Sequence, residues 1–99
     1  MIRHIVMWDT VARDEAGQTA QIAEIRALLE ALPAVVPGVA MLEVGVNELP
    51  GDNGADIVLI SEFADWSTLK EYAIHPEHVK AADRIREITQ SRKSVDYTI

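Results

Sequence analysis

The stretch IRHIVMW, residues 2–8, decides the fold because both faces of the strand that it predicts are largely apolar. The two-residue period of a strand divides its side chains into two sets: Ile2, His4, Val6 and Trp8 on one face, and Arg3, Ile5 and Met7 on the other. A strand with two apolar faces requires cover on both sides. This stretch therefore predicts a layer of helices against one face and a further surface against the other.

The rest of the chain supplies three more strands and two helical regions. Apolar periodicity and turn residues place a helix at 14–32, strands at 40–46 and 57–63, two helical pieces at 65–74 and 75–90, and a strand at 94–99. Pro33 and the pair Pro37–Gly38 are expected to end the first helix, and residues 47–56 to form a long turn. The order β-α-β-β-α-β predicts an α+β, ferredoxin-like antiparallel sheet with helices on one face.

The core-facing residues of the two later helical pieces follow from their spacing. Asp65 is expected to cap the first piece. The predicted inward residues are Trp66, Leu69 and Ala73 in the first piece, and Val79, Ala82, Ile85 and Ile88 in the second. Both tryptophans, Trp8 and Trp66, are expected in the core rather than as a stacking surface for a cofactor. Because the helices leave the other sheet face apolar, a homodimer with two facing sheets is expected.

Length and charge restrict the class of protein. The 99 residues, 48% of them hydrophobic, indicate a single domain over residues 1–99. A formal net charge of −7 argues against a nucleic-acid backbone or an anionic membrane surface as partner. The chain contains no cysteine, which excludes disulfides and thiolate metal sites. Because neither a signal peptide nor an apolar stretch of about 20 residues is recognisable, a cytoplasmic location is the expectation.

Two of the three histidines lie in the segment EYAIHPEHVKAAD, residues 71–83. Pro76 suits the first position of a helix, so His75 is expected to cap or precede that helix. A histidine pKa near 6.5 makes His78 a candidate general base, while Tyr72 stays protonated and can donate a hydrogen bond. The alternative for His78 is a structural contact within its helix. His-x-x-His around a proline is too weak a pattern to predict a metal site.

Five segments together resemble the stress-responsive A/B barrel (Dabb) family: MIRHIVMW, PGVAMLEVGVN, ADIVLISEF, YAIHPEHVK and VDYTI. The resemblance covers nearly the whole chain and implies a dimeric α+β barrel. A more distant resemblance is to olivetolic acid cyclase, a plant polyketide cyclase that closes a ring by a cofactor-free aldol reaction. That similarity implies His78 as the general base, Tyr72 as its assistant and His4 as a pocket residue. A further pocket histidine of the cyclase corresponds to Asp56.

These residues together predict a pocket between the sheet and the helices. The catalytic candidates are His78 and Tyr72, and the candidate substrate contacts are His4, Trp8, Asp56 and His75. The expected ligand is a small carbonyl-rich or aromatic molecule, and the expected chemistry is acid–base catalysis without a cofactor or metal. One alternative is a non-catalytic module that binds a small molecule or serves a stress response. Another is a cofactor-independent monooxygenase, which rests on fold analogy alone.

Overall fold

A computed structural model describes residues 1–49 and 51–99 of the chain. Four strands and four helices follow one another: β1 (Ile2–Thr10), α1 (Glu15–Glu30), α2 (Leu32–Val35), β2 (Met41–Val46), β3 (Ile57–Phe63), α3 (Trp66–Ile74), α4 (Pro76–Glu87) and β4 (Thr89–Thr98). The order is the predicted one, with each helical region divided into two helices. In the described ranges, no helix is both long and apolar enough to span a membrane. Pro50, part of the predicted long turn, lies outside the described residues.

One antiparallel sheet contains the four strands in the order β2-β3-β1-β4. β1 lies inside the sheet and pairs with β3 on one side and with β4 on the other. Paired residues of neighbouring strands project to the same face, so His4 shares a face with Asp96, and Trp8 shares it with Arg92. The helices cover this face, because Val6 and Trp8 are buried on it.

The opposite face of the sheet is mainly apolar, although Lys93, Glu43 and Glu62 also lie on it, and it is partly exposed in the single chain. We call it the open face; it includes Arg3, Ile5 and Met7 of β1, Val58 and Ile60 of β3, and Val95 and Tyr97 of β4. Met7 is 42% exposed and Val95 is 59% exposed. The two-sided apolar pattern of residues 2–8 is therefore confirmed, with helices on one side and an exposed apolar surface on the other.

Three apolar residues do not face the core as their helical spacing predicts. Trp66 is 46% exposed and Ala73 is also exposed, whereas the neighbouring Tyr72 is buried. Apolar residues surround most of α3, so their spacing alone does not specify which side of this nine-residue helix packs inward. Val79 is 42% exposed and Ala81 is buried instead. These two residues lie about 200° apart around α4, so only one of them can contact the sheet.

The remaining predictions for these two helices agree with the structure. Ile85 and Ile88 are buried, and Leu69 and Ala82 are half-buried. Asp65 caps α3 as predicted, since its carboxylate accepts a hydrogen bond of 2.8 Å from the backbone N–H of Thr68. That hydrogen bond, followed by the one from the Thr68 hydroxyl, holds the pKa of Asp65 below its usual value.

Several element bounds differ from the sequence prediction: β1 extends to Thr10 and α4 ends at Glu87, and two further differences have a clear cause. Pro33 lies in the first turn of α2 rather than ending the helical region, because a proline needs no hydrogen-bond partner there. β4 begins at Thr89, ahead of the predicted residues 94–99. Its first half, TQSRK, is polar, so a search for apolar periodicity does not detect this part of the strand. β4 is an edge strand that pairs only with β1, so backbone hydrogen bonds can hold it in place without apolar burial.

Gly38 provides a test of the turn after α2. Its φ of 94° lies in the left-handed region that other residues disfavour, and a Cβ there would collide with Cγ2 of Thr68 in α3. We expect Gly38→Ala to lower the free energy of unfolding by about 1–2 kcal/mol or more, as measured by urea denaturation. Gly51→Ala is the control, because no atom of the described residues lies within 4 Å of a Cβ placed there. Wild-type stability in Gly38→Ala would contradict this account.

Candidate active site

A cavity of about 60 Å³ lies between the sheet and the helices, on the covered face of β1. The sheet contributes His4, Trp8 and Arg92 to its wall, and α4 contributes His78. Aliphatic side chains of β1, β3 and the helices complete the wall. The volume is that of about two water molecules at roughly 30 Å³ each, so a larger ligand has to widen the cavity.

His4 is hydrogen-bonded to its cross-strand partner, Asp96. The contact joins His4 Nδ1 and an Asp96 carboxylate oxygen, and the His4 side chain is 12% exposed. A carboxylate accepts hydrogen bonds, so the Nδ1 of His4 is the donor and carries a proton. In the neutral imidazole, Nε2 is then left with a free lone pair. The arrangement orients the ring and fixes its tautomer, as carboxylates do for many catalytic and metal-binding histidines.

His78 has a fixed tautomer for a similar reason. Its Nδ1 lies 2.9 Å from the backbone carbonyl oxygen of Ala73, which can only accept a hydrogen bond. Nδ1 therefore carries the proton, and Nε2 is free to act as a base. Burial lowers the pKa of His78, and this effect outweighs the opposing hydrogen bond to Ala73. The nearby Arg92 guanidinium lowers that pKa further. His78 is consequently neutral near pH 7.

The ring of Tyr72 packs against the ring of His78. Their centroids are 4.5 Å apart with an angle of 52° between the planes, and Phe63 lies on another side at 4.8 Å. The break between α3 and α4 produces this approach, since the two residues belong to different helices. The Tyr72 hydroxyl is buried and has no hydrogen-bond partner within the described part of the chain. Burial raises the pKa of Tyr72 to about 12, so the hydroxyl remains protonated.

His75 is the N-cap residue of α4 and does not line the cavity. Its Nδ1 accepts a hydrogen bond of 3.1 Å from the backbone N–H of Glu77, and Pro76 follows it in the first turn. The same residue also ends α3, through a hydrogen bond from its backbone N–H to the Tyr72 carbonyl. The helix-capping role expected from the sequence is thus present. Contact of His75 with a substrate stays a prediction.

Asp56 lies apart from the histidine cavity. Its carboxylate accepts hydrogen bonds from the Thr10 backbone N–H at 2.8 Å, the Thr10 hydroxyl at 3.1 Å and the Arg13 guanidinium at 2.9 Å. Burial by itself raises the pKa of Asp56, but these hydrogen bonds outweigh it and lower the pKa. The residue lines a separate cleft of about 730 Å³ beside the start of α1. Its predicted role as a pocket residue with His78 has no geometric support here.

The structure brings together four of the six residues singled out in the sequence. His4, Trp8 and His78 line one cavity, and Tyr72 packs on His78. Sequence reasoning missed two further polar residues of this site: Asp96 and Arg92, both on β4. In the alternating segment SVDYTI, residues 94–99, Asp96 lies on the strand face opposite to that of the apolar residues. Only the strand pairing shows that Asp96 is next to His4. In the described ranges, no group of three or more metal-ligand side chains is arranged to hold a metal ion.

Comparison with known proteins supports the fold class. The sequence profile of the stress responsive A/B barrel domain matches residues 2–99. A dimeric protein of unknown function with a ferredoxin-like fold, from Bacteroides fragilis, is 34% identical over 99% of this chain and 95% of that chain, with a TM-score of 0.89. No curated protein matches the chain.

Two solved structures with named activities share the fold at low identity. A hydroxynitrile lyase from Passiflora edulis is 19% identical over 99% of this chain and 92% of that chain, with a TM-score of 0.84. An antibiotic biosynthesis monooxygenase is 17% identical over 100% of this chain and 98% of that chain, with a TM-score of 0.75. The predicted ferredoxin-like fold is confirmed. These two identities are too low to indicate a reaction, because one fold hosts many chemistries.

The burial of His78 predicts a loss of stability on acidification. Its folded-state pKa lies below the unfolded value of about 6.5, so its contribution to stability is present above about pH 6.5 and is lost as the pH falls through the folded-state pKa. We expect the free energy of unfolding to fall as the pH is lowered below about 6.5, and to fall less in His78→Asn. Asparagine retains a side-chain N–H for the Ala73 carbonyl but does not titrate. Chemical denaturation across this range measures the difference, and parallel curves would contradict the expectation.

Proposed function

The chain belongs to the stress responsive A/B barrel domain (Dabb) family, as its sequence segments predict, and we propose that it is a small homodimeric enzyme that performs acid–base chemistry at carbon without a cofactor. Its substrates are small carbonyl-rich molecules. The reaction is proton abstraction beside a carbonyl group followed by aldol-type ring closure, as in a polyketide cyclase. The observation that carries this proposal is the buried, unpartnered hydroxyl of Tyr72 next to His78.

An unpartnered buried hydroxyl needs an explanation. Leaving such a group without a hydrogen bond costs about 1–3 kcal/mol, and native proteins rarely retain one without a reason. A substrate oxygen would accept the hydrogen bond that the Tyr72 hydroxyl lacks among the described residues. With its pKa raised to about 12, the hydroxyl is still a donor near neutral pH. It is therefore suited to stabilise the oxygen of an enolate, where negative charge develops during proton abstraction.

His78 is the general base in this proposal. Its Nε2 takes a proton from the carbon beside a carbonyl group, and the negative charge moves to the carbonyl oxygen. The enolate carbon attacks a second carbonyl carbon of the same molecule, a carbon–carbon bond forms, and the new alkoxide takes up a proton. The lowered pKa keeps His78 neutral and able to accept a proton near pH 7. A positioned base of this kind contributes about 10²–10⁴-fold in rate.

His4 supplies a second imidazole to the same cavity. Asp96 orients this ring by accepting a hydrogen bond from its Nδ1. The alkoxide that forms on ring closure takes back the proton that His78 removed from carbon, and the free Nε2 of His4 is suited to accept a hydrogen bond from the resulting hydroxyl group. Trp8 provides an apolar wall for an aromatic ring or an alkyl chain. His75 and Asp56 take no step in this mechanism, because His75 caps α4 and Asp56 lines a separate cleft.

The open face is the proposed dimer interface. It presents Met7 and Val95 to solvent in the single chain, and burial of such a continuous apolar surface favours association. A second copy related by two-fold symmetry would cover it with an identical surface. The protein from Bacteroides fragilis with the same fold is described as dimeric. The helices and the histidine cavity lie on the other face of the sheet, so each subunit keeps its own site.

A simple diketone tests the proposed chemistry. Heptane-2,6-dione closes to 3-methylcyclohex-2-enone with the loss of one water molecule, and the ultraviolet absorbance of the enone reports the rate. We expect the wild type to accelerate this closure and His78→Asn to be slower by about 100-fold or more. We expect Tyr72→Phe to be slower by about 10–100-fold, the value of a hydrogen bond to a charged oxygen. Tyr97→Phe, a change to the other tyrosine of the chain, is the control.

Stability measurements on the same variants separate a catalytic hydroxyl from a structural one. Tyr72→Phe removes a polar group that has no partner, so we expect unchanged or higher thermal stability together with slower turnover. A clearly less stable Tyr72→Phe protein would make the hydroxyl structural. Saturable binding of the diketone without closure by the wild type would favour the alternative, a non-catalytic binding module, since a bound ligand would also satisfy Tyr72.

The dimer interface has its own matched test. Met7 on the open face and Val79 on the outer side of α4 are each 42% exposed in the single chain. We expect Met7→Glu to sediment or scatter light as a monomer of 10.9 kDa, because it places a charge in the buried interface. Val79→Glu introduces the same charge outside the interface and is expected to remain dimeric. A dimeric Met7→Glu protein, or a monomeric wild type, would contradict the proposed interface.

A further inference from the structure

Arg92 differs from the other arginines of the described chain in its partners. The other five arginines each contact a carboxylate: Arg3 with Glu62, Arg13 with Asp56, Arg26 with Glu30, Arg84 with Glu24 and Glu87, and Arg86 with Asp83. Among the described residues, Arg92 forms no such ion pair. Its one hydrogen bond is from an Nη atom to the Ser94 hydroxyl at 3.4 Å, which is longer than a typical hydrogen bond. Arg92 therefore has donors that are free to bind an anion.

The unpaired guanidinium is notable because carboxylates are abundant in this chain. The chain has sixteen acidic and nine basic residues, so an arginine on the protein surface would usually have a carboxylate available as a partner. Arg92 instead lines the cavity that contains His4 and His78. Its strand register with Trp8 directs it to the covered face of the sheet. The carboxylate of this site, Asp96, is already hydrogen-bonded to His4.

We propose that Arg92 determines specificity by binding a carboxylate group of the substrate, so that the preferred substrates are keto acids rather than neutral ketones. This inference rests on the proposed function, because it names the substrate class of the same site. A planar guanidinium binds a carboxylate through two parallel hydrogen bonds, which fixes orientation as well as adding affinity. A lysine ammonium group or a backbone N–H would fix the orientation of a carboxylate less strictly.

The polarity of the site supports one orientation of such a substrate. Arg92 is solvent-exposed at the edge strand, whereas the Tyr72 hydroxyl is buried. A keto acid that widens the cavity would therefore place its charged end at the rim and its carbonyl groups toward His78 and the adjoining Tyr72. The net charge of −7 repels anions from most of the protein surface, so a free cation at the rim is needed to attract an anionic substrate.

A matched pair of probes tests this inference. The acid 5,9-dioxodecanoate and its methyl ester contain the same 1,5-diketone and differ in the charge at one end. We expect the wild type to close the acid with a lower KM than the ester. Arg92→Gln should raise the KM of the acid by about tenfold or more, and leave the KM of the ester unchanged. Arg26→Gln removes an exposed arginine on α1 and serves as the control.

The outcomes separate this inference from the proposed function. If the wild type closes acid and ester with equal KM, or if Arg92→Gln affects both alike, the specificity role is overturned while the enzyme proposal stands. If the wild type closes neither probe, the enzyme proposal fails, and titrations followed by NMR still test Arg92. In that case, weaker binding of the acid alone in Arg92→Gln supports the carboxylate site, and unchanged binding overturns it.

Discussion

The register between β1 and β4 is the constraint on which the rest of the site depends. It places His4 opposite Asp96 and Trp8 opposite Arg92, all on the covered face of the sheet. A shift of one residue would send Asp96 and Arg92 to the open face and leave His4 without its carboxylate. β1 can hold this register because it pairs on both sides and buries Val6 and Trp8 beneath the helices.

A second constraint is the helix break at His75 and Pro76. Tyr72 lies in the last turn of α3 and His78 in the first turn of α4, and the bend between the helices brings the two rings to 4.5 Å. The capping interactions of His75 satisfy backbone groups that the break would otherwise leave unpaired. Within this segment, His75 and Pro76 determine the backbone geometry, whereas Tyr72 and His78 are the candidate catalytic residues.

The site contains two features that oppose folding and that the proposed reaction would use. The Tyr72 hydroxyl is buried without a partner in the described structure, and burial disfavours protonation of His78. The unpartnered hydroxyl costs stability at any pH, and His78 costs stability when the pH is low enough to protonate it; the hydrophobic core around them offsets that cost. In the proposed function, a substrate oxygen accepts the hydrogen bond that the Tyr72 hydroxyl lacks in the described structure. This is the physical link between the packing of α3 and α4 and the function that we propose.

Residue periodicity alone predicts most of the fold. The two-residue alternation of β1 and β3 and the helical spacing of α1 identify these elements because their burial repeats with the backbone period. Where the pattern is ambiguous the prediction is wrong: Trp66 and Val79 are exposed, since apolar residues occur on more than one side of α3 and α4. The polar first half of β4 escapes detection, because an edge strand can be held by backbone hydrogen bonds alone.

The sequence by itself determined the β-α-β-β-α-β order, the need to cover two apolar sheet faces, and the candidate residues His4, Tyr72 and His78. These follow from local spacing and from the resemblance of short segments to a family. Only the tertiary structure shows that Asp96 and Arg92 lie beside His4 and Trp8 on the covered face, and that Asp56 lines a separate cleft. Such contacts join residues far apart in the chain, and strand register and helix rotation set them. Neither property leaves a local signal, because each depends on how complete elements pack against one another.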